Sequence, residues 1–430
     1  MVARLWSRWR SLAHEGAWVL AGQGAAAIGA VVVTCLLAHW LTPSQYGVFA
    51  LGLTASTFGQ MILFGPWAGS ALRFESLASG EGNTRDFLHT VTRTQWQLTL
   101  LGGVLGGAVL VVLGLTGHRL QLPLVVATIV TVIAGAWAAL ASALQSARRQ
   151  RAIIAVHQGL TPWLRLVLVL ALFRLLDVSS TMTMAGWGLA NLLIAWSQWR
   201  YLRRPAPAPD GAEHGRYRMR MISYAAPFVL WGLFACAQAS VDRWSLRSVT
   251  DLATVGIYST AYQLGYAPAL LLGSFVEQMV APVVFAGAGD ALDAERLRRS
   301  HRRVFIAVAA LVVAAVLGSL VAWLGASLVR RLLPPAYQQV SMLVAPLFLA
   351  GGIFAAAQVL IIAPLTSFDS RRVILPRIAT SVLAVAALVV GAETDGMRGV
   401  VVGQIAVSLV FLAWFLIVIL RRRVRSGGGR

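Results

Sequence analysis

Apolar residues dominate the chain in long, nearly uninterrupted stretches that are separated by short polar segments. A transmembrane helix needs about 20 mostly apolar residues, and this pattern therefore predicts twelve transmembrane helices. The predicted spans are residues 17–39, 46–71, 95–117, 121–145, 153–176, 181–202, 221–243, 253–285, 304–325, 341–364, 373–392 and 397–420.

The arginines support this number of spans and orient the chain. All 36 basic residues are Arg, since the sequence contains no Lys. With the N-terminus inside, 28 of them lie in or next to segments predicted to be cytoplasmic and 7 lie in or next to outer segments. The remaining one, Arg165, lies in the middle of a span. Positive residues favour cytoplasmic loops, so this alternation predicts a multi-pass membrane protein with both termini in the cytoplasm.

The composition excludes several classes of protein. With 58% hydrophobic and 12% charged residues, the chain is far from the quarter of charged residues typical of soluble domains. The net charge of +20 is explained by topology and by contact with anionic membrane lipids, so no nucleic-acid partner is expected. Cys35 and Cys236 both lie in apolar stretches and form no metal or disulfide pattern. We expect no metal site and no cofactor, and a proton or sodium gradient is compatible with this expectation.

The longest cytoplasmic connection divides the chain near its midpoint. Residues 203–220, RRPAPAPDGAEHGRYRMR, are rich in Pro, Ala and Gly, which is typical of a linker. The sequence thus predicts an N-terminal six-helix half at 1–202, a C-terminal six-helix half at 221–420 and a basic tail at 421–430. The fold class is an all-α integral membrane protein with two six-helix halves.

A short repeat relates the two halves. LTPSQYGVFAL, residues 41–51, lies at the outer turn before span two, and VTDLATVGIYSTA, residues 249–261, lies at the outer turn before span eight. Gly47 aligns with Gly256, and Thr42 aligns with Thr250 to within one residue. Phe74 and Gly80 similarly match Phe285 and Gly289. Because both halves begin inside, the repeat predicts a parallel pseudo-twofold axis along the membrane normal.

The same segments carry a resemblance to a known family. Leu41, Pro43, Tyr46 and Gly47 resemble the L-x-P-x-x-Y-G start of the polysaccharide-exporting branch of the MOP superfamily. DRWSLRSVTDLATVGIYSTAYQL and LLPPAYQQVSMLVAPLFLAGG resemble two further segments of that branch, which contains the Wzx-type flippases of O-antigen and exopolysaccharide intermediates.

The resemblance implies a twelve-helix, MATE/MOP-like fold and a flippase rather than an enzyme. The implied substrate is an undecaprenyl-pyrophosphate-linked oligosaccharide, moved by alternating access to the outer leaflet of the bacterial inner membrane for lipopolysaccharide or exopolysaccharide biosynthesis. Polysaccharide polymerase machinery is an expected partner. Two alternatives remain open: a cation-coupled small-molecule exporter of the same superfamily, and a membrane enzyme that acts on lipid-linked sugars.

Arg165 is the foremost candidate for substrate binding. It lies mid-span in HQGLTPWLRLVLVLALF, where a charge costs about 2.5 kcal/mol or more and is expected to face an internal cavity. His157, Thr161 and Arg165 recur every four residues and predict one polar stripe on the helix. Arg binds phosphate oxygens through two parallel hydrogen bonds, which suits a pyrophosphate. The structural alternative is an Arg that locks the fold by pairing with Glu277 or a carbonyl.

Three further residues complete the predicted substrate site. Arg73 follows Gly65-Pro66 at the cytoplasmic end of span two, where it could contact phosphate or act only as a positive-inside anchor. Gln60 is polar and mid-span, and such groups often hydrogen-bond between helices. Tyr262 belongs to an aromatic stripe, with Tyr258 and Tyr266, that suits either sugar stacking or packing.

Two acidic residues are candidates for ion coupling. Glu277 lies in span eight without a basic neighbour in sequence, and it could carry a coupling proton or form a salt bridge. Asp242 ends span seven in a segment that resembles the family, and it could bind a coupling ion. Arg243 beside it is expected to be solvated in the outer loop.

Overall fold

The computed structural model describes residues 2–117, 121–202, 214–288, 294–366 and 371–427, and within these ranges every regular element is a helix. A π-helical segment, Gln60–Phe64, joins α2 to α3, and a short 3₁₀ turn at Pro335–Tyr337 precedes α13. The α-helices are α1 Val2–Trp40, α2 Pro43–Gly59, α3 Gly65–Gly80, α4 Thr84–Leu115, α5 Leu122–Ala147, α6 Arg151–Leu175, α7 Ser180–Leu202, α8 His214–Val249, α9 Leu252–Leu264, α10 Tyr266–Ala288, α11 Ala294–Leu324, α12 Ala326–Leu332, α13 Val340–Leu360, α14 Ile362–Leu365 and α15 Arg371–Gly427.

All twelve predicted spans coincide with helices. In the described part of the chain, nine helical stretches are long and apolar enough to cross a membrane, and α8, bent by 44°, provides a tenth. The stretch in α15 contains two predicted spans, because Asp395 and Gly396 interrupt the helix and Gly396 has φ +52°. The remaining span is α7, whose Trp, Asn and Gln side chains lower its hydropathy. The prediction of a twelve-helix membrane protein is confirmed.

Span two is continuous in the prediction but changes its winding in the structure. Pro66 has no N–H, so it cannot bond within a regular helix and is tolerated at a helix start. The preceding Gly65 N–H donates to the carbonyl of Gln60, five residues back. The π-helical segment therefore absorbs the irregularity that Gly65-Pro66 creates, and π segments of this kind are frequent at functional sites.

The chain forms two compact units that do not coincide with the predicted halves. The first unit contains Met1–Gly29 and Val48–Cys236, and the second contains Ala30–Gly47 and Ala237–Arg430. Helices α1 and α8 therefore each begin in the first unit and end in the second. The two transitions lie 207 residues apart, close to the offset of the repeat. Of the predicted linker, residues 203–213 lie outside the described part, and the rest belongs to α8.

In the first unit, small residues bring α5, α6 and α7 into close contact. Gly186 of α7 lies against the backbone of Val169 in α6. A Cβ added to Gly188 would lie 3.1 Å from the hydroxyl oxygen of Thr131 in α5. Close approach through small residues is the usual way that helices pack in membranes. These contacts fix the helices that carry Arg165 and its neighbours.

In the second unit, α13 is the central helix and packs against α9, α10, α11 and α15. Gly351 and Gly352 face the backbone of Tyr266 and of Ala315, so α13 approaches α10 and α11 closely. The core continues into the apolar side chains of α15, where Phe411 and Phe415 are buried.

The two repeated segments meet in the second unit. A Cβ on Gly47 would overlap the carbonyl oxygen of Leu252, and a Cβ on Gly256 would overlap that of Pro43. Leu252 precedes Gly256 by four residues, as Pro43 precedes Gly47. This reciprocal contact is the kind that a twofold axis produces, and it supports the predicted alignment of Gly47 with Gly256.

The helix caps refine the alignment of the repeat. At α2, the Thr42 hydroxyl accepts from the Gln45 N–H (3.3 Å) and the Gln45 side chain accepts from the Thr42 N–H (3.1 Å). At α9, Asp251 accepts from the Thr254 N–H at 2.8 Å. Thr42 therefore corresponds to Asp251, one residue beyond the Thr250 of the predicted alignment. Gly289 of the second predicted match lies outside the described residues.

Candidate functional site

Arg165 lies on α6 and is partly buried against α7 in the first unit. Its guanidinium donates from Nη2 to Oδ1 of Asn191 at 3.1 Å, and its Cζ lies 5.3 Å from the ring centre of Trp187. Nε is buried and has no hydrogen-bond partner among the described residues. An aromatic face and a neutral amide hold the cation in place, and neither of these two groups carries a negative charge that would cancel it.

Gln60 belongs to the same polar network as Arg165. Asn191 Nδ2 and Gln60 Nε2 each lie 3.5 Å from the backbone carbonyl oxygen of Thr131. Gly135 makes room for the Gln60 amide, since an added Cβ would lie 2.7 Å from both amide heavy atoms. The network runs from α6 through α7 and α5 to the start of the π-helical segment. It thus links two of the predicted substrate-binding residues through Asn191.

His157 and Thr161 are engaged elsewhere and do not extend this network. The buried His157 ring bonds through Nδ1 to the Ile153 carbonyl (2.7 Å) and through Nε2 to the Ser197 hydroxyl (3.0 Å). The Thr161 hydroxyl donates to the His157 carbonyl at 2.6 Å. Both ring nitrogens of His157 are therefore occupied in this conformation.

A second polar cluster lies in the second unit and is centred on Asp242, which is fully buried. Its Oδ2 accepts from the Tyr258 hydroxyl (2.7 Å) and from Gln404 Nε2 (3.4 Å). Its Oδ1 accepts from the backbone N–H of Arg243 (2.7 Å) and from Arg243 Nη1 (3.2 Å). A carboxylate offers about four acceptor positions, so this arrangement uses all of them.

Arg243 differs from its sequence expectation. It is only 6% exposed, whereas the sequence suggested a solvated outer-loop residue. Its Cζ lies 4.1 Å from the ring centre of Tyr262, and Tyr262 stacks on Tyr266 with ring centres 4.6 Å apart. Within the predicted tyrosine stripe, Tyr262 therefore covers the cation of a buried ion pair and Tyr258 bonds its carboxylate.

Glu277 lies apart from this cluster, on an exposed face of α10. Arg377 of α15 is close enough to act on its charge, and Arg377 Nη2 also donates to the Gln358 side chain at 2.6 Å. Sequence order alone could not reveal this neighbour, since the two residues are separated by a hundred positions.

Arg73 is exposed on α3 and lines a cleft of about 610 Å³ in the first unit. The cleft lies between α3 and the first part of α8 and is also lined by Arg220, Phe74 and Tyr224. Arg220 lies in the segment that the sequence assigned to the linker. In the described ranges, no group of three His, Cys, Asp or Glu residues is arranged to hold a metal ion.

Sequence reasoning missed Asn191, Trp187, Gln404 and Arg220. Asn191 and Gln404 are polar residues within long apolar stretches, and this was the available signal, since such residues usually form contacts between helices. The rotation of each helix about its axis decides which polar residues meet, and apolar spans with little amphipathic pattern do not specify that rotation.

The fold is that of a multi-pass helical membrane protein, and solved membrane proteins share it. The solved structure of the lipid II flippase MurJ in an inward closed conformation matches with a TM-score of 0.69 at 9% identity, covering 93% of this chain and 86% of that one. The MATE multidrug transporter DinF-BH matches with a TM-score of 0.68 at 12% identity, over 96% and 95% of the two chains. A mutant of the Vibrio cholerae MATE transporter VcmN gives 0.63 at 14% identity, over 97% of each chain.

A family model confirms the resemblance seen in the sequence. The model described as "Polysaccharide biosynthesis protein" matches residues 12–287, which is more than half of the chain. The chain therefore belongs to this polysaccharide biosynthesis family and has the MOP fold. No curated protein sequence matches it.

Proposed function

We propose that the protein is a flippase for undecaprenyl-pyrophosphate-linked oligosaccharide. It moves this substrate from the cytoplasmic to the outer leaflet of the bacterial inner membrane, by alternating access, for surface polysaccharide biosynthesis. Membership of the polysaccharide biosynthesis family supports the pathway. The fold shared with a lipid II flippase supports a lipid-linked substrate.

The observation that supports the proposal most directly is the environment of Arg165. A cation in the middle of a spanning helix is costly unless it has a function or a partner. Arg165 is held by Asn191 and Trp187, both neutral, and its Nε remains available for a further acceptor. A pyrophosphate would provide negative charge and oxygen acceptors for this guanidinium, and Gln60 would offer polar contacts nearby.

The proposed orientation follows from the arginines, with both termini in the cytoplasm. The basic ends of the helices would then contact anionic lipids of the inner leaflet. Polysaccharide polymerase machinery would receive the flipped substrate outside.

Ion coupling is proposed to involve Asp242 and Glu277. Since Arg243, Tyr258 and Gln404 use every acceptor position of Asp242, a proton or sodium ion would have to displace one of these donors. Exchange between Arg243 and a coupling ion would link ion binding to a rearrangement of α8. Glu277, beside Arg377, would carry the coupling proton in the alternative arrangement.

Small-molecule export is the rival function, because the fold is shared equally with MATE multidrug transporters. An exporter of cationic compounds would need an acidic cavity, and Arg165 opposes this. A membrane enzyme acting on lipid-linked sugars would need a catalytic acid or base, which the Arg165 network does not supply.

Complementation of a strain that lacks this gene tests the proposal. We expect deletion to abolish surface polysaccharide and to strand lipid-linked oligosaccharide in the cytoplasmic leaflet. Arg165→Ala should fail to restore polysaccharide at matched protein level, and Arg165→Lys should restore it partly. Arg174→Ala is the matched control, since Arg174 is an exposed arginine on the same helix. Normal polysaccharide in the deletion strain, with no second flippase present, would exclude the proposed function.

A further inference from the structure

The cleft that contains Arg73 is built by two antiparallel helices in register. The Tyr217 hydroxyl of α8 donates to Oε2 of Glu81, the residue that follows α3, at 2.5 Å. The rings of Tyr224 in α8 and Phe74 in α3 meet edge-on, with centres 5.8 Å apart. Between these two contacts the residue number rises by seven in α8, from Tyr217 to Tyr224, and falls by seven in the partner segment, from Glu81 to Phe74. The two segments are therefore antiparallel. The two helices thus form a fixed frame in the first unit.

Two arginines project from this frame into one cleft. Arg220 lies between Tyr217 and Tyr224 in α8. It is therefore opposite the middle of residues 74–81, the segment that those two tyrosines contact. Arg73 lies about four to five residues away along α3, which corresponds to roughly 7 Å at 1.5 Å per residue. Because each guanidinium ends a long flexible side chain, both can converge on one ligand that has two anionic groups.

The acidic side chains of α3 and of its C-cap do not line the cleft. Glu75 is buried and accepts from Nε of Arg148 at 2.7 Å, and Glu81 accepts from Tyr217. No acidic residue is found among the cleft-lining residues that the structure describes. Among the described lining residues, both charged side chains are therefore arginines.

The remaining walls of the cleft suit a sugar and a lipid. Phe74 and Tyr224 present aromatic rings, and Ser223 adds a hydroxyl. Leu77 and Met219 complete the lining and are exposed and apolar. A ligand with a phosphate group, a sugar and an apolar tail would match these surfaces better than free phosphate would.

We propose that the cleft is a separate loading site, where Arg73 and Arg220 bind the diphosphate of the lipid-linked sugar. The arginine distribution assigns this end of α3 to the cytoplasm, so the site would bind the substrate before it reaches Arg165. The proposal rests on the proposed function, because that function supplies the ligand class. A phospholipid headgroup offers a related phosphate chemistry, and the experiment separates the two sources.

Binding of geranyl diphosphate to the purified full-length protein tests the loading site. The protein is placed in phosphatidylcholine nanodiscs and carries Arg165→Ala, so that only the cleft is measured. We expect binding to persist in this background and to weaken at least tenfold with Arg73→Gln or Arg220→Gln. Arg218→Gln is the matched control, an exposed arginine on α8 outside the cleft lining, and should change affinity less than twofold. Unchanged affinity in both cleft variants would overturn the proposal.

Two further measurements identify the ligand. Arg220→Lys keeps the charge but loses the planar fork, so it should bind with intermediate affinity and remain folded if the glutamine variant does not. Replacing phosphatidylcholine by phosphatidylglycerol in the nanodiscs should change the affinity for geranyl diphosphate by less than threefold. Complete displacement by phosphatidylglycerol would assign the cleft to phospholipid headgroups and overturn the proposal.

Complementation distinguishes failure of the loading site from failure of the proposed function. The Arg73→Gln/Arg220→Gln double variant should restore less than half of the surface polysaccharide at matched protein level. Full restoration by this variant, in a strain where deletion of the gene abolishes polysaccharide, would exclude the loading site while leaving the flippase function intact.

Discussion

At the scale of single residues, the buried pair Asp242–Arg243 is tightly constrained by its surroundings. Asp242 is fully buried and Arg243 nearly so, and their charges compensate each other across 3.2 Å. Removing one partner of a buried pair leaves an uncompensated charge, which costs about 3–5 kcal/mol. We therefore expect that replacing both residues costs less free energy of unfolding than the two single replacements added together.

A double-mutant cycle on this pair measures that coupling. We expect Asp242→Asn and Arg243→Gln each to lower the free energy of unfolding in detergent by about 3 kcal/mol or more. The double variant should lose clearly less than the sum of the two. Arg330→Gln, at an exposed arginine of α12, should change stability by less than about 0.5 kcal/mol. Additive losses would show that the two side chains are not coupled.

Asp251 gives a prediction with a pH dependence. Hydrogen bonds from Thr254 lower the pKa of the exposed Asp251 carboxyl, which caps α9. Since the folded-state pKa is depressed, this stabilisation is present above the unfolded pKa of about 3.9 and is lost as the pH falls through the lower folded value. Asp251→Ala should cost about 1 kcal/mol at pH 7, and the difference should narrow below about pH 4. Melting temperatures at pH 7, 4 and 3 test this, and a difference that stays constant would contradict it.

At the scale of helices, the crossing of α2 and α9 shows why the chain repeats a short motif. Each helix presents one glycine at the crossing, and each glycine faces a backbone carbonyl four residues before the other glycine. Backbone atoms cannot move aside as a flexible side chain can. The motif is thus required once in each half.

Alanine substitution at the crossing tests this requirement. Gly47→Ala and Gly256→Ala should each destabilise the protein by about 1–3 kcal/mol, because the added methyl group forces α2 and α9 apart. Gly103→Ala in α4 is the matched control, since an added Cβ there meets nothing within 4 Å. It should be neutral or stabilise by up to about 1 kcal/mol. Equal stability of all three variants, measured by thermal unfolding, would be inconsistent with a close crossing.

The same crossing shows how far the sequence could predict the fold. Hydropathy and arginine distribution predicted the twelve spans, and the repeat predicted the correct glycines. The pattern could not predict that residues 214–220 continue α8, because their charged and polar side chains resemble a linker. In the candidate sites, Arg165, Gln60, Asp242 and Tyr262 were predicted singly, but their partners Asn191, Gln404 and Arg243 depend on three-dimensional packing that no short motif records.

At the scale of the whole molecule, the connectivity of α1 and α8 makes the units interdependent. Residues 30–47 are synthesised with the first unit but belong to the second. There, Tyr46 meets Tyr337 edge-on, with ring centres 6.2 Å apart, and the Tyr337 hydroxyl donates to the Leu41 carbonyl at 3.0 Å. The second unit is incomplete without this segment.

Splitting the chain tests this interdependence. Fragment 203–430 expressed alone should accumulate poorly, because its unit lacks residues 30–47. Co-expression with fragment 1–202 should restore its level, and co-expression with fragment 48–202, which lacks α1, should not. A fluorescent tag at the C-terminus measures the membrane-inserted amount. Full accumulation of fragment 203–430 alone would show that the segment contributes little.

The contact between Leu41 and Tyr337 also governs how the protein is made. The two residues are 296 positions apart, and at ribosomal rates of about 5–20 residues per second the second appears roughly 15 to 60 s after the first. Throughout that interval the end of α1 has been made but lacks the tyrosine that will contact it. Insertion can follow the order of synthesis, but assembly of the second unit cannot. An insertase or chaperone that shelters the first hairpin would therefore act early, long before the last helices leave the ribosome.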